Sequence, residues 1–297
     1  MDRMSEEVLL EELKARFLEN KKAIYDLTIL NEKMEKLNVK LAESERLKSD
    51  FLSNIRNEIN NPLTSILGLS REIGTGKKDD QTKQLMAKAI YEEAFELDFQ
   101  LRNVFVAAEL EAGETQLNIS RLDVAALVNN LIAAFSHKSK KKGLTVTMNC
   151  CGEAPDRSLP FNTDAEKLHR VLANLLANAV EYNIAGKAVR IEVRKEAEVL
   201  RVSIADEGIG IPHEERARLF ERFRQIDRGS TKKHKGHGLG LSITKALVEM
   251  LGGKVTLADA PGGGCIFQIV VPESAAAEEG VFSADGNEFL FENEKKF

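Results

Sequence analysis

The chain has 297 residues, enough for two domains with a packed core in at least one of them. Its 42 Lys+Arg against 47 Asp+Glu leave a net charge of −5, without the basic footprint that a nucleic-acid binder carries. No signal peptide is present and no apolar run approaches the roughly 18 residues of a membrane span, so the expectation is a cytoplasmic chain with no transmembrane segment. Any membrane-bound sensor upstream then belongs to another chain or to a segment outside these residues. Cys150, Cys151 and Cys265 lack metal-ligand spacing and read as buried free thiols.

Residues 4–47 contain neither Pro nor Gly. Leu10, Leu13, Phe17, Ile24, Leu27, Met34 and Leu41 recur at three- and four-residue steps, which predicts a coiled coil over residues 1–47. Asn31 and Asn38 fall at core positions of a strict heptad, unless Leu30 and Leu37 take over the seam through a three-residue phase slip. A dimerising stalk and a signal-transmitting helix of variable register both fit, with the stalk favoured.

The helix is expected to continue into a second segment, where Leu52, Ile55, Ile59, Leu63 and Ile66 share one face. Asn54, Asn57, Glu58 and Asn61 then project to the opposite, solvent side. Gly74-Thr75-Gly76 marks a turn. A second helix carries Ile90, Ala94, Leu97, Leu101, Val104 and Ala108 and ends near Gly113, a glycine suited to a C-cap. Residues 48–112 thus form a helical hairpin with one apolar stripe per helix. Such a hairpin needs a partner, and a second copy completing a four-helix bundle supplies it.

From residue 113 to 272 the pattern changes to short strands and helices. Strands are predicted at Gln116–Ser120, Leu144–Cys150, Ala188–Val193, Val199–Ala205, Gly253–Ala258 and Cys265–Val271. Helices are predicted at Val124–Ser139, Ala165–Glu181 and Leu239–Leu251. Helices laid on one mixed or antiparallel sheet make an α/β sandwich, so the fold class is α+β. Residues 273–297 read as an acidic, disordered tail with an apolar knot at Phe289-Leu290-Phe291.

Three motifs in the sandwich carry chemistry. Asn174 and Asn178, in Asn174-Leu175-Leu176-Ala177-Asn178-Ala179-Val180-Glu181-Tyr182, stand one helical turn apart and offer amide oxygens that suit Mg²⁺. Asp206-Glu207-Gly208-Ile209-Gly210 follows an apolar strand, with glycines that let backbone approach a flat ligand. Gly236-His237-Gly238-Leu239-Gly240 opens a helix whose first N–H groups can cradle phosphate. Between the last two lie Phe220, Phe223 and the cations Arg222, Arg224, Arg228, Lys232, Lys233 and Lys235, either a solvated loop or a lid. His137, His169 and His213 read as ordinary surface or helix histidines. His234 and His237 read as surface lid residues, with no third metal ligand near them.

These boxes resemble the ATP-binding domain shared by histidine kinases, Hsp90, DNA gyrase and MutL. The segment Phe51-Leu52-Ser53-Asn54-Ile55-Arg56-Asn57-Glu58-Ile59-Asn60-Asn61-Pro62-Leu63 resembles the phosphoacceptor box of sensor histidine kinases. The resemblance covers about residues 45–272. It implies ATP and Mg²⁺ as ligands, a homodimer, and a response-regulator receiver domain as partner in a two-component phosphorelay. It assigns Asn178 to the metal, Asp206 to the adenine amino group, and Asn174, Tyr182, Gly208, Gly210, Phe223, Gly236, Gly238, Leu239 and Gly240 to the nucleotide. Glu58 would be the base beside the acceptor. Asn61 would orient a water that hydrolyses the regulator's aspartyl phosphate.

The chain departs from the family at the acceptor itself. Asn57 stands where histidine is expected, and no histidine precedes His137. An amide has no basic lone pair to attack a γ-phosphoryl group, so autokinase activity is expected to be lost. A degenerate member that keeps phosphatase activity and an engineered His→Asn variant of an active kinase both remain open. So does a non-enzymatic, ATP-gated dimeric scaffold that binds the regulator.

Overall fold

The computed structural model describes residues 6–151, 158–222 and 238–275. The chain divides into two units, Met1–Asn54 and Ile55–Phe297. Of residues 213–235, the segment read as a solvated loop or a lid, the part from 223 onward lies outside the described residues, as does the tail beyond 275 with its Phe289-Leu290-Phe291 knot.

The first unit consists of most of α1 (Glu6–Gly74), in which stalk and box form one helix as expected. Each of the seven apolar side chains of the predicted seam is exposed in the single chain, as are Leu30 and Leu37. Both phases of the seam are therefore open to a partner. Farther along α1, in the second unit, Ile55, Ile59 and Ile66 are half-buried and Leu63 is 41% exposed. Pro62 lies inside the helix, so the carbonyl of Glu58 receives no amide hydrogen from it.

The second helix, α2 (Asp80–Ala112), begins where the Asp79 carboxylate accepts from Thr82 N at 2.8 Å. It ends at Gly113, whose φ of 69° lets its N–H turn back to Glu109 O. The expected apolar stripe is only partly covered: Leu97, Leu101 and Val104 are half-buried, while Ala94 and Ala108 are exposed. The expectation of a single stripe is incorrect. A second line on α2, through Phe95, Phe99 and Asn103, faces the sandwich, because one helical turn sets these four-residue steps above one another.

The sandwich runs β1 (Ile119–Asp123), α3 (Val124–Ala134), α4 (Ser136–Lys141), β2 (Thr145–Cys151), β3 (Pro160–Asp164), α5 (Ala165–Glu181), β4 (Ala188–Glu196), β5 (Val199–Asp206), α6 (His213–Arg216), α7 (Gly240–Met250), β6 (Lys254–Asp259) and β7 (Cys265–Pro272). Its main sheet has the order β2-β4-β5-β7-β6, with β2 parallel to β4 and the other neighbours antiparallel. Alternate residues point inward: Val189, Ile191 and Val193 from β4, Val202 and Ile204 from β5, Phe267 and Ile269 from β7. Leu168, Val171, Leu172, Leu175 and Leu176 of α5 and Ile243, Leu247 and Val248 of α7 complete the core.

Three differences from the predicted elements have physical causes. Strand β1 starts three residues later than predicted because its partner is β3, paired antiparallel from Ile119↔Asp164 to Asp123↔Pro160. Strand β3 was not predicted, since Pro160, Asn162 and Asp164 interrupt the apolar pattern that only Phe161 and Thr163 carry inward. The helix predicted over Val124–Ser139 breaks at Phe135 (ψ 1°), whose ring is buried against the rings of Phe95 and Phe99.

Candidate functional site

The site lies where β5 ends and α5 and α7 meet. Asp206, the last residue of β5, is 6% exposed. Its Oδ1 accepts from Gly208 N at 2.8 Å and from Cys265 N at 3.3 Å. Both bonds fall on one oxygen, leaving Oδ2 for another donor. Burial pushes the Asp206 carboxyl above its ordinary range, and the two backbone N–H groups work against that rise. Burial, and after it the charge of Asp206, pushes the neighbouring Cys265 thiol up to about 11, so it is no nucleophile at neutral pH.

Backbone crowds this carboxylate so tightly that only glycine fits at two positions. A Cβ on Gly208 would lie 2.4 Å from Tyr182 O, and one on Gly264 would lie 2.1 Å from Asp206 O. Tyr182 closes the same corner from the C-terminus of α5. Its carbonyl accepts from Ile209 N at 3.2 Å, and Asn183 bridges to Gly208. Lys142 donates to the terminal carbonyls of Val180 and Glu181, satisfying acceptors that α5 leaves open.

Asn174 and Asn178 sit on α5 as expected, with different surroundings. Asn178 is half-buried. Asn174 is 2% exposed, donates from Nδ2 to Gly240 O at 3.3 Å, and accepts on Oδ1 from Asn103 Nδ2 of α2 at 3.0 Å. Gly238 has a φ of 67°, and Leu239, 2% exposed, precedes the start of α7. Leu239, at the N-cap of α7, makes no side-chain cap bond, so among the described residues the first N–H groups of α7 are left for an anion.

One turn before Asn174 on α5, Arg170 is 7% exposed, and its Nε is buried without a hydrogen-bond partner among the described residues. His169 beside it is a helix histidine on α5, half-buried, with an unusual environment. Burial first, then the charges of Arg170 and Arg102, push its ring down to about 4. His137 is also drawn into an interface, its ring edge-on to Phe95 at 5.2 Å.

The structure therefore brings Asn174 to Gly240, and Asp206 to Gly208 and Tyr182. Gly210, with a φ of 66°, lies in the loop after β5. Phe223 and Gly236 lie outside the described residues. Asn57 and Glu58 are on α1, and their side chains also lie outside the description. Asn61 is exposed on that helix, next to the buried Pro62. Sequence reasoning missed Asn103. The available signal was the four-residue spacing of Phe95, Phe99 and Asn103 on α2.

Residues 47–113 match the family described as His Kinase A (phospho-acceptor) domain. Residues 163–275 match the family described as Histidine kinase-, DNA gyrase B-, and HSP90-like ATPase. The sensor histidine kinase TmoS of Ectopseudomonas mendocina is 31% identical over 272 residues, which are 90% of this chain and 27% of that protein. The signal transduction histidine-protein kinase BarA of Escherichia coli (strain K12) is 32% identical over 258 residues, 82% of this chain and 28% of that protein. The chain thus spans about a quarter of the length of these relatives. Full-length ShkA, solved in complex with AMPPNP, superposes with a TM-score of 0.54 at 26% identity, covering 79% of this chain and 47% of that one. The chain belongs to the sensor histidine kinase family. Among the described residues, no helix is long and apolar enough to cross a membrane.

Proposed function

We propose that this chain is the homodimeric, cytoplasmic core of a two-component signalling kinase, a transferase by family, which binds ATP with Mg²⁺ and engages a response-regulator receiver domain. The observation that carries this reading is the crowded corner at Asp206, where Gly208 and Gly264 leave no room for a Cβ and both backbone donors bond to the same carboxylate oxygen. A flat base with an exocyclic amine fits that corner, since the carboxylate accepts what adenine donates. The uncapped start of α7 suits the phosphates.

Asn178 would hold Mg²⁺ through its amide oxygen. No group of three His, Cys, Asp or Glu side chains among the described residues could hold a metal alone, so phosphate and water would fill the remaining positions. When bound, ATP supplies a γ-phosphoryl group for transfer. Asn57 cannot accept it, and Glu58 has no imidazole to orient. Exposed Asn61 can still hold a water against a receiver's aspartyl phosphate.

The test uses labelled ATP and Mg²⁺ on the full chain. The protein as written should bind ATP but take up no acid-labile phosphate, and Asn57→His should become labelled. Asp206→Asn should weaken binding by about 1.5–3 kcal/mol, the worth of a hydrogen bond to a charged group. If Asn57→His stayed blank while ATP still bound, Asn57 would not be the single lesion.

A further inference from the structure

The contact between α2 and the sandwich differs from the sandwich's own core. Phe95 packs edge-on against Phe135 at 5.6 Å, and Phe99 does so at 5.8 Å. Around this aromatic anchor the polar groups are poorly matched. Gln100 Oε1 and Asn103 Oδ1 on α2, His137 Nε2 beside Phe95, and Arg170 Nε near the charges of α2 are all buried without a hydrogen-bond partner among the described residues. Buried polar atoms are normally paired, and a seam that leaves several unpaired holds less firmly than its area implies. The flanking ion pairs, Glu96 with Lys138 and Glu92 with Lys141, stand at the partly exposed rim and add little.

At the centre of the seam the amides can be oriented in only one way. Gly240 O is an acceptor, so Asn174 must turn Nδ2 toward it. Asn174 Oδ1 then faces α2, and Asn103 must meet it with Nδ2, which strands Asn103 Oδ1 in the interior. The docked helix thereby covers the one oxygen that Asn174 could offer a ligand. We propose that Asn103 is a latch: α2 docked through Asn103, and Mg²⁺·ATP held through Asn174, exclude each other. Asn178, half-buried, stays reachable in the docked arrangement, and Asn174 joins it only when α2 lifts. Lifting α2 exposes the stranded oxygens to water, which offsets part of the loss of the aromatic contact. This inference rests on the Mg²⁺·ATP reading of the site and adds a regulator to it.

Two variants of the full chain open the latch by different means. Asn103→Asp sets a carboxylate against Asn174 Oδ1, and Phe95→Ala removes the aromatic anchor without touching the site. Titrated with ATP and MgCl₂, both should bind about 3- to 10-fold more tightly than the parent, as when a competent fraction of about a third to a tenth rises toward one. In the parent, Mg²⁺·ATP should speed amide hydrogen exchange in α2 around Phe95 to Asn103. A residue with a merely structural role would give weaker binding when changed. Equal or weaker binding in both variants, or unaltered exchange in α2, overturns the latch and leaves the nucleotide reading intact. Absence of binding in parent and variants alike overturns both.

Discussion

Gly262 and Gly264 show how much a single residue position can demand. Both have a φ of 90°, a conformation that side chains other than glycine rarely adopt. They differ in surroundings: nothing lies within 4 Å of a Cβ built on Gly262, whereas one on Gly264 would meet Asp206 O at 2.1 Å and Gly208 N at 2.7 Å. Gly262→Ala should therefore cost only the backbone strain, about 1–3 kcal/mol. Gly264→Ala should cost clearly more, because backbone cannot step aside as a flexible side chain does. It should also displace the Asp206 carboxylate and weaken ATP binding, which Gly262→Ala should leave nearly unchanged. Urea denaturation of the two variants, with calorimetric titration of ATP, checks both halves. Equal midpoints would show that the corner around Asp206 yields easily.

At the level of elements, α5 shows what was legible beforehand and what was not. Its start was legible because Asp164 caps Lys167 N at 2.9 Å, a local rule, and its inward face was legible from the spacing of Leu168, Val171, Leu172 and Leu175. Asn174, Asn178 and Tyr182 were legible as a motif. The environment of His169 and Arg170 was not, because Asp98, Arg102 and Glu109, whose charges act on them, belong to α2, and the stripe assigned to α2 was the wrong one to reveal it. Strand β3 and the break at Phe135 were hidden for the same reason, since each depends on a partner distant in sequence.

The environment of His169 has a consequence for acid stability. Its folded-state value of about 4 lies below the ordinary 6.5, so the unfolded chain takes up the proton first. The contribution is neutral above about pH 6.5 and turns against folding as pH falls toward about 4. His169→Gln should flatten that part of the curve in denaturation midpoints measured from pH 7 to pH 4. A parallel fall in parent and variant would assign the acid sensitivity to other groups.

For the whole molecule, the single chain leaves too much apolar surface uncovered. Leu10, Phe17, Ile24 and Leu27 on the first part of α1, and Leu63 and Leu67 farther along it, are all exposed. A second copy would cover such a seam, so sedimentation of the full chain at micromolar concentration should give a dimer. A monomer there would require a different partner for α1. The two lines of α2 also bear on where the chain can be divided. Gly113 looks like a natural place to cut, as the end of a capped helix. A fragment beginning after it would lose Phe95 and Phe99, and Phe135, 2% exposed in the intact chain, would be left facing water. Such a fragment should self-associate, with light scattering that rises with concentration, while one that begins before Asp79 and keeps α2 should remain dispersed. Affinities measured on the shorter piece would then describe a surface that the intact protein keeps covered.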